Sequence, residues 1–187
     1  MRCIRLALGG LLAALLVGCS SLPPEAPLPP APAAIMEDYR AALADMEAGR
    51  SEAALETLQG LTRQHPDLAG PFANLGLLYQ QGGDTAQAAA AFDRALALQP
   101  QSSEIYNSAG VFYRSVGRFA DAEAAYLQAM EHDPALAAPV LNLAILYDLY
   151  LHRPRQALVY YRQYLELGGD DDGRVAMWLM DLQRREE

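Results

Sequence analysis

Residues 75–100 read LGLLYQQGGDTAQAAAAFDRALALQP, and residues 109–134 read AGVFYRSVGRFADAEAAYLQAMEHDP. The second stretch is the first displaced by 34 residues: Gly76 answers to Gly110, Tyr79 to Tyr113, Ala88 to Ala122, Phe92 to Tyr126 and Pro100 to Pro134. Pro66 lies one period earlier, preceded by Ala54, Leu58 and Leu61 where the next unit carries Ala88, Phe92 and Ala95. A fixed period of this length marks stacked helix pairs, since one pair alone cannot cover its own apolar face. Small residues at Gly76 and Ala88, or at Gly110 and Ala122, let two helices approach closely. Tyr79, Phe92, Tyr113 and Tyr126 fill the space between them. Each proline ends its second helix before the next unit begins.

This pattern resembles the tetratricopeptide repeat, a helix-turn-helix unit of the same length, and predicts an all-α solenoid. Four repeats are expected, at residues 35–68, 69–102, 103–136 and 137–169. The first is degenerate, with Ala41, Ala42 and Asp45 standing where Leu-Gly-Tyr is expected. The fourth keeps Leu143, Ala144 and Tyr147, but Ala157 follows Tyr147 one residue late, so an insertion sits near "LYLHRP". Pro154 suits the first turn of a helix, and a glycine at about Gly169 replaces the terminal proline. Residues 171–187 are expected to supply a capping helix over Arg174 to Arg185. It should turn Val175, Trp178, Leu179 and Leu182 inward, with "QRREE" as its charged end.

The N-terminus has a different character. Arg2 and Arg5 precede an apolar run from Leu6 to Val17, too short for a bilayer crossing of about 20 residues but suited to a secretory signal over residues 1–18. Leu16-Val17-Gly18-Cys19 resembles the lipobox of bacterial lipoproteins. That resemblance implies cleavage before Cys19 and acylation of its sulfur and new amino group, a firm membrane anchor. Ser20, where an Asp would favour the inner membrane, implies the periplasmic face of the outer membrane. From Leu22 to Pro32 six residues are proline, so residues 19–34 read as an extended tether, reaching about 45 Å from the membrane.

Composition narrows the function. The chain carries 14 basic and 23 acidic side chains, and every basic one is arginine. Without the leader the net charge is −11, which argues against nucleic acid and against a polybasic grip on lipid. Absence of lysine excludes Schiff-base chemistry and a P-loop lysine. Cys3 leaves with the leader and Cys19 is acylated, so no internal disulfide is expected. His65 and His132 sit near ends of second helices, His152 stands in the widened loop, and none has a second ligand at workable spacing. Asp170-Asp171-Asp172-Gly173 lacks the alternating ligands of a calcium loop and reads as a helix N-terminus. With no nucleophile elbow, zinc motif or phosphate loop, neither an enzyme nor a cofactor nor a metal is expected.

What remains is a surface. The family holds peptides or partner helices in the groove lined by its first helices. The resemblance places Arg40, Leu43, Met46, Asn74, Leu77, Gln81, Asn107, Val111, Arg114, Asn142 and Ile145 there. Asn74 and Asn142 offer pairing to both polar groups of an extended backbone. The carboxylate clamp of chaperone-binding relatives needs lysines that this chain lacks. Tyr150, Tyr160 and Tyr164 exceed the repeat's own requirement and read as packing or as a second contact surface. The expected function is that of an adaptor or assembly lipoprotein for pilus or secretin biogenesis. The alternatives are a scaffold for cell-wall enzymes and a structural subunit of a trans-envelope transport complex. Oligomeric state stays open.

Overall fold

The computed structural model describes residues 33–169 and 173–186. The leader, Cys19, the tether up to residue 32 and Asp170 to Asp172 lie outside the described residues, and Ala33 and Ala34, expected in the tether, already belong to the first helix. Four helix pairs follow one another: α1 (Ala33–Glu47) with α2 (Ser51–Gln64), α3 (Ala69–Gln81) with α4 (Thr85–Leu98), α5 (Ser103–Ser115) with α6 (Phe119–His132), and α7 (Ala137–Ile145) with α8 (Pro154–Glu166). A last helix, α9 (Arg174–Glu186), packs on α8.

The repeat's small and large residues do what their sizes demand. A Cβ added to Gly76 would lie 2.9 Å from the Phe92 ring, and one added to Gly110 would lie 2.5 Å from the Tyr126 ring. The rings of Phe92, Tyr126 and Tyr161 are fully buried, as are Ala54, Ala88, Ala122 and Ala157, which let the paired helices close on them. Truncating one such ring costs about 3–5 kcal/mol, so these three positions carry much of the stack.

The turn inside each of the first three pairs is the same device. Gly49, Gly83 and Gly117 adopt φ of +72°, +77° and +78°, and the next N–H returns to the carbonyl of Asp45, Tyr79 or Tyr113. The fourth pair departs from it. The expected extra residue is absorbed in a π-helical turn, Leu146–Tyr150, where the Leu151 N–H reaches the Leu146 carbonyl at 3.0 Å. The returning bond then runs from Arg153 to Tyr147, one residue longer than its counterparts, and His152 takes the glycine's left-handed place at φ +50°. Pro154 opens α8 as expected.

Adjacent pairs meet mainly through α2 on α3, α4 on α5 and α6 on α7. In addition α3 touches α5 and α5 touches α7, while consecutive second helices stand further apart. The first helices are therefore the inner layer of a curved stack. The cap differs from expectation in one respect. Val175 and Leu182 are buried and Leu179 packs on the same core, but Trp178 is 41 % exposed, and Met177 and Met180 face solvent at 60 % and 63 %. A stripe of three inward residues leaves the neighbouring apolar side chains of α9 outside the contact. The outer side of α9 is therefore mixed: these apolar side chains lie beside exposed Arg174, Asp181, Arg184, Arg185 and Glu186, the last three forming the expected charged end.

Candidate functional site

The inner face is built from α1, α3, α5 and α7. Arg40 and Gln81 are exposed on it, and Leu43, Met46, Asn74, Leu77, Asn107, Val111, Arg114, Asn142 and Ile145 are half-buried. The apolar members also serve the core beneath: Met46 packs on the cluster that holds Leu58 and Leu78, Leu77 on the one that holds Phe92 and Phe112, and Val111 and Ile145 on the one that holds Tyr126.

The asparagines are tied between repeats. Asn74 Nδ2 donates to the Tyr39 hydroxyl at 2.6 Å and to the Gly70 carbonyl at 3.1 Å. Asn142 Nδ2 donates to Asn107 Oδ1 at 2.9 Å, and Arg114 Nη1 donates to Asn142 Oδ1 at 3.4 Å. Gln80 Nε2 reaches the Ser115 hydroxyl at 3.4 Å in the same fashion. The expected pairing of Asn74 and Asn142 with a peptide is thus partly taken up by neighbouring repeats. Tyr39, Gln80 and Ser115 belong to this network, and sequence reasoning passed over them. Their signal is a separation of 35 residues, one more than the period.

Burial raises the Tyr39 pKa, and the Asn74 bond opposes that shift. Elsewhere the tyrosines hold carboxylates. The Tyr147 hydroxyl donates to Glu123 at 2.6 Å and the Tyr161 hydroxyl to Asp148 at 3.3 Å. Burial first, then the adjacent acid, raises both phenols. Tyr126 has no partner for its buried hydroxyl among the described residues, and burial pushes its pKa up to about 12.

The extra tyrosines divide. Tyr160 stacks on Tyr147 with centroids 5.5 Å apart, and Tyr164 lies under Gly169, so both pack. Tyr150, at the end of the π turn, is 42 % exposed, with its ring 5.3 Å from that of Phe119 and the Arg114 guanidinium 5.8 Å from its centroid. A cavity of about 320 Å³ opens beside this turn, walled by Ile145, Leu149, Tyr161 and Trp178 and edged by Asp148, Asp181 and Arg185. Arg185 bridges the two acids at 3.5 and 3.4 Å. His132 stacks on Tyr106 with centroids 5.5 Å apart. Among the described residues no three metal-ligating side chains converge.

Residues 73–137 match one family model and residues 38–68 a second, both described as tetratricopeptide repeat, and together they span just over half of the chain. No curated protein sequence matches at a significant level. Among solved structures the chain is similar to PilF of Pseudomonas aeruginosa, at 24 % identity and a TM-score of 0.75, covering 82 % of this chain and 69 % of that one. It is similar to MamA of Desulfovibrio magneticus RS-1 (17 %, 0.69, covering 83 % and 86 %). It also matches an O-GlcNAc transferase of Thermobaculum terrenum (20 %, 0.66, covering 71 % of this chain but 26 % of the enzyme). At these identities the likeness is one of fold.

Proposed function

We propose that this chain, which belongs to the tetratricopeptide repeat family, is a non-catalytic adaptor holding a polypeptide partner along the face of its first helices. The observation that carries this reading is that face itself. From α3 to α7 it presents amides, Gln81 and Arg114 between partly buried apolar side chains, a surface suited to an extended or helical segment.

The signal-like leader and the Leu16-Val17-Gly18-Cys19 box support an acylated form moored at the periplasmic face of the outer membrane. Within that setting we favour assembly of a pilus or its secretin. The fold likeness to PilF, a type IV pilus assembly lipoprotein, is consistent with that role.

The test is capture of partners from detergent-solubilised membranes, with intact-mass analysis of the mature N-terminus. Acyl mass on Cys19 and recovery of secretin or pilus components are expected, together with loss of capture in a folded Arg40→Glu/Arg114→Glu variant. An unacylated terminus removes the anchor. Undiminished capture by the double variant removes the face, and recovery of cell-wall hydrolases alone moves the assignment to scaffolding.

A further inference from the structure

Arg114 is the only described arginine that is not exposed. Others have found acids: Arg50 pairs with Asp45, Arg118 with Asp121, Arg153 with Glu123, and Arg185 with Asp148 and Asp181. Arg40, Arg63, Arg94, Arg155 and Arg162 have no carboxylate within ion-pair distance among the described residues, but they stand in solvent, where a lone charge is well hydrated. Arg114 has neither remedy. It is half-buried and no described carboxylate reaches it. Among the described residues its guanidinium makes one hydrogen bond, to a neutral amide at 3.4 Å.

The surroundings of Arg114 are rich in donors. Its guanidinium has five N–H groups, of which one is engaged. Asn142 uses its oxygen on Arg114 and one N–H on Asn107, leaving its second N–H. Asn107 spends its oxygen on Asn142, and neither of its own N–H groups has an acceptor among the described residues. Tyr150 supplies a ring beside the guanidinium, a contact that favours a planar cation and leaves its N–H edge open. Only the π turn of the fourth repeat delivers that ring, and such turns commonly mark functional positions. A half-buried cation with surplus donors and no acid is completed by an acceptor-only anion.

Resting on the groove reading, we propose that Arg114, with the Asn107 and Asn142 amides and the Tyr150 ring, forms a carboxylate subsite for the polypeptide held there. This subsite is built from α5, α7 and the extra turn, and it requires no lysine.

The experiment is a side-chain amide and aromatic NMR titration of the full chain in detergent at matched ionic strength. N-acetylglycine presents a terminal carboxylate, N-acetylglutamic acid α-amide a side-chain carboxylate, and N-acetylglutaminamide neither. Saturable shifts at Asn107, Asn142 and Tyr150 with either carboxylate, and none with the neutral amide, are expected. The stronger of the two probes tells whether a chain end or an acidic side chain is the source. Arg114→Gln, with its helical melt retained, should weaken the response about tenfold. Asn107→Asp sets a carboxylate on the same amide, so it should block the probes while raising the melting temperature. Equal shifts with the neutral amide, or an undiminished response in Arg114→Gln, overturn the proposal. Partner capture by a chain that ignores every carboxylate probe overturns it while leaving the groove reading intact.

Discussion

The Asn142 amide donates to Asn107 Oδ1 across 2.9 Å, and the two residues stand 35 apart in a chain that repeats every 34. Asn74 and Tyr39, and Gln80 and Ser115, keep the same separation. The extra residue is a register: each first helix meets the next one residue further along, on the inner face where these helices touch. Such bonds fit the stagger that core packing imposes on neighbouring repeats and add to it on the inner face. They also connect the fold to its surface, since the groups that make them line the groove.

Asn142→Ala removes the partner of both Asn107 and Arg114 and should destabilise the chain by about 1 kcal/mol in urea melts. The informative measurement is the double-mutant cycle with Asn107→Ala, where a coupling of about 0.5–1.5 kcal/mol is expected. Strict additivity would mean that the two amides do not act together.

Two glycines predict opposite signs. The fully buried Tyr126 ring leaves no room for a Cβ at Gly110, so Gly110→Ala should cost about 1–3 kcal/mol. Gly60, inside α2, has nothing within 4 Å of such a Cβ, and Gly60→Ala should gain about 0.5–1 kcal/mol by restricting the unfolded chain. Thermal melts of the two variants should move in opposite directions.

These positions show what was legible beforehand. Gly110 and Tyr126 are readable because close approach of two helices leaves a small residue and a large one at fixed spacing, whatever surrounds them. The insertion after Tyr147 was countable for the same reason. Its form was not, because a count does not say which hydrogen bond widens, nor that His152 would assume a glycine's conformation. Trp178 misled because Val175 to Leu182 is apolar nearly all round, so periodicity gave several inward directions and packing on α8 chose one. The register bonds were invisible, since they depend on the stagger between repeats rather than on the pattern within one. That no described carboxylate reaches Arg114 is likewise a fact of three dimensions.

His152 holds φ +50° where the other pairs use glycine, and a side chain in that region costs roughly 1 kcal/mol. His152→Gly should relieve that strain and, after an offset of about 0.5 kcal/mol for the freedom glycine adds to the unfolded chain, show a small net gain in chemical denaturation while leaving the π turn in place. If the backbone were instead relaxed there, glycine would add only unfolded-state freedom and the variant would lose stability.

Tyr126 links burial to pH. Its hydroxyl is buried without a partner among the described residues, and its pKa rises from 10 to about 12 in the folded chain. The unfolded chain therefore releases this proton first, so the stabilisation present below pH 10 is lost as pH climbs through about 12. Tyr147 and Tyr161, raised in the same direction by burial and then by Glu123 and Asp148, steepen that alkaline loss. Tyr126→Phe should flatten part of it and, by deleting an unsatisfied hydroxyl, should raise stability near neutral pH by about 1 kcal/mol. Tyr147→Phe also flattens the alkaline limb but breaks the 2.6 Å bond to Glu123, so it should lose stability near neutral pH. Thermal melts from pH 7 to 12 separate the two. Parallel curves for Tyr126→Phe and the parent chain would show that this phenol titrates as freely in the folded state as in the unfolded one.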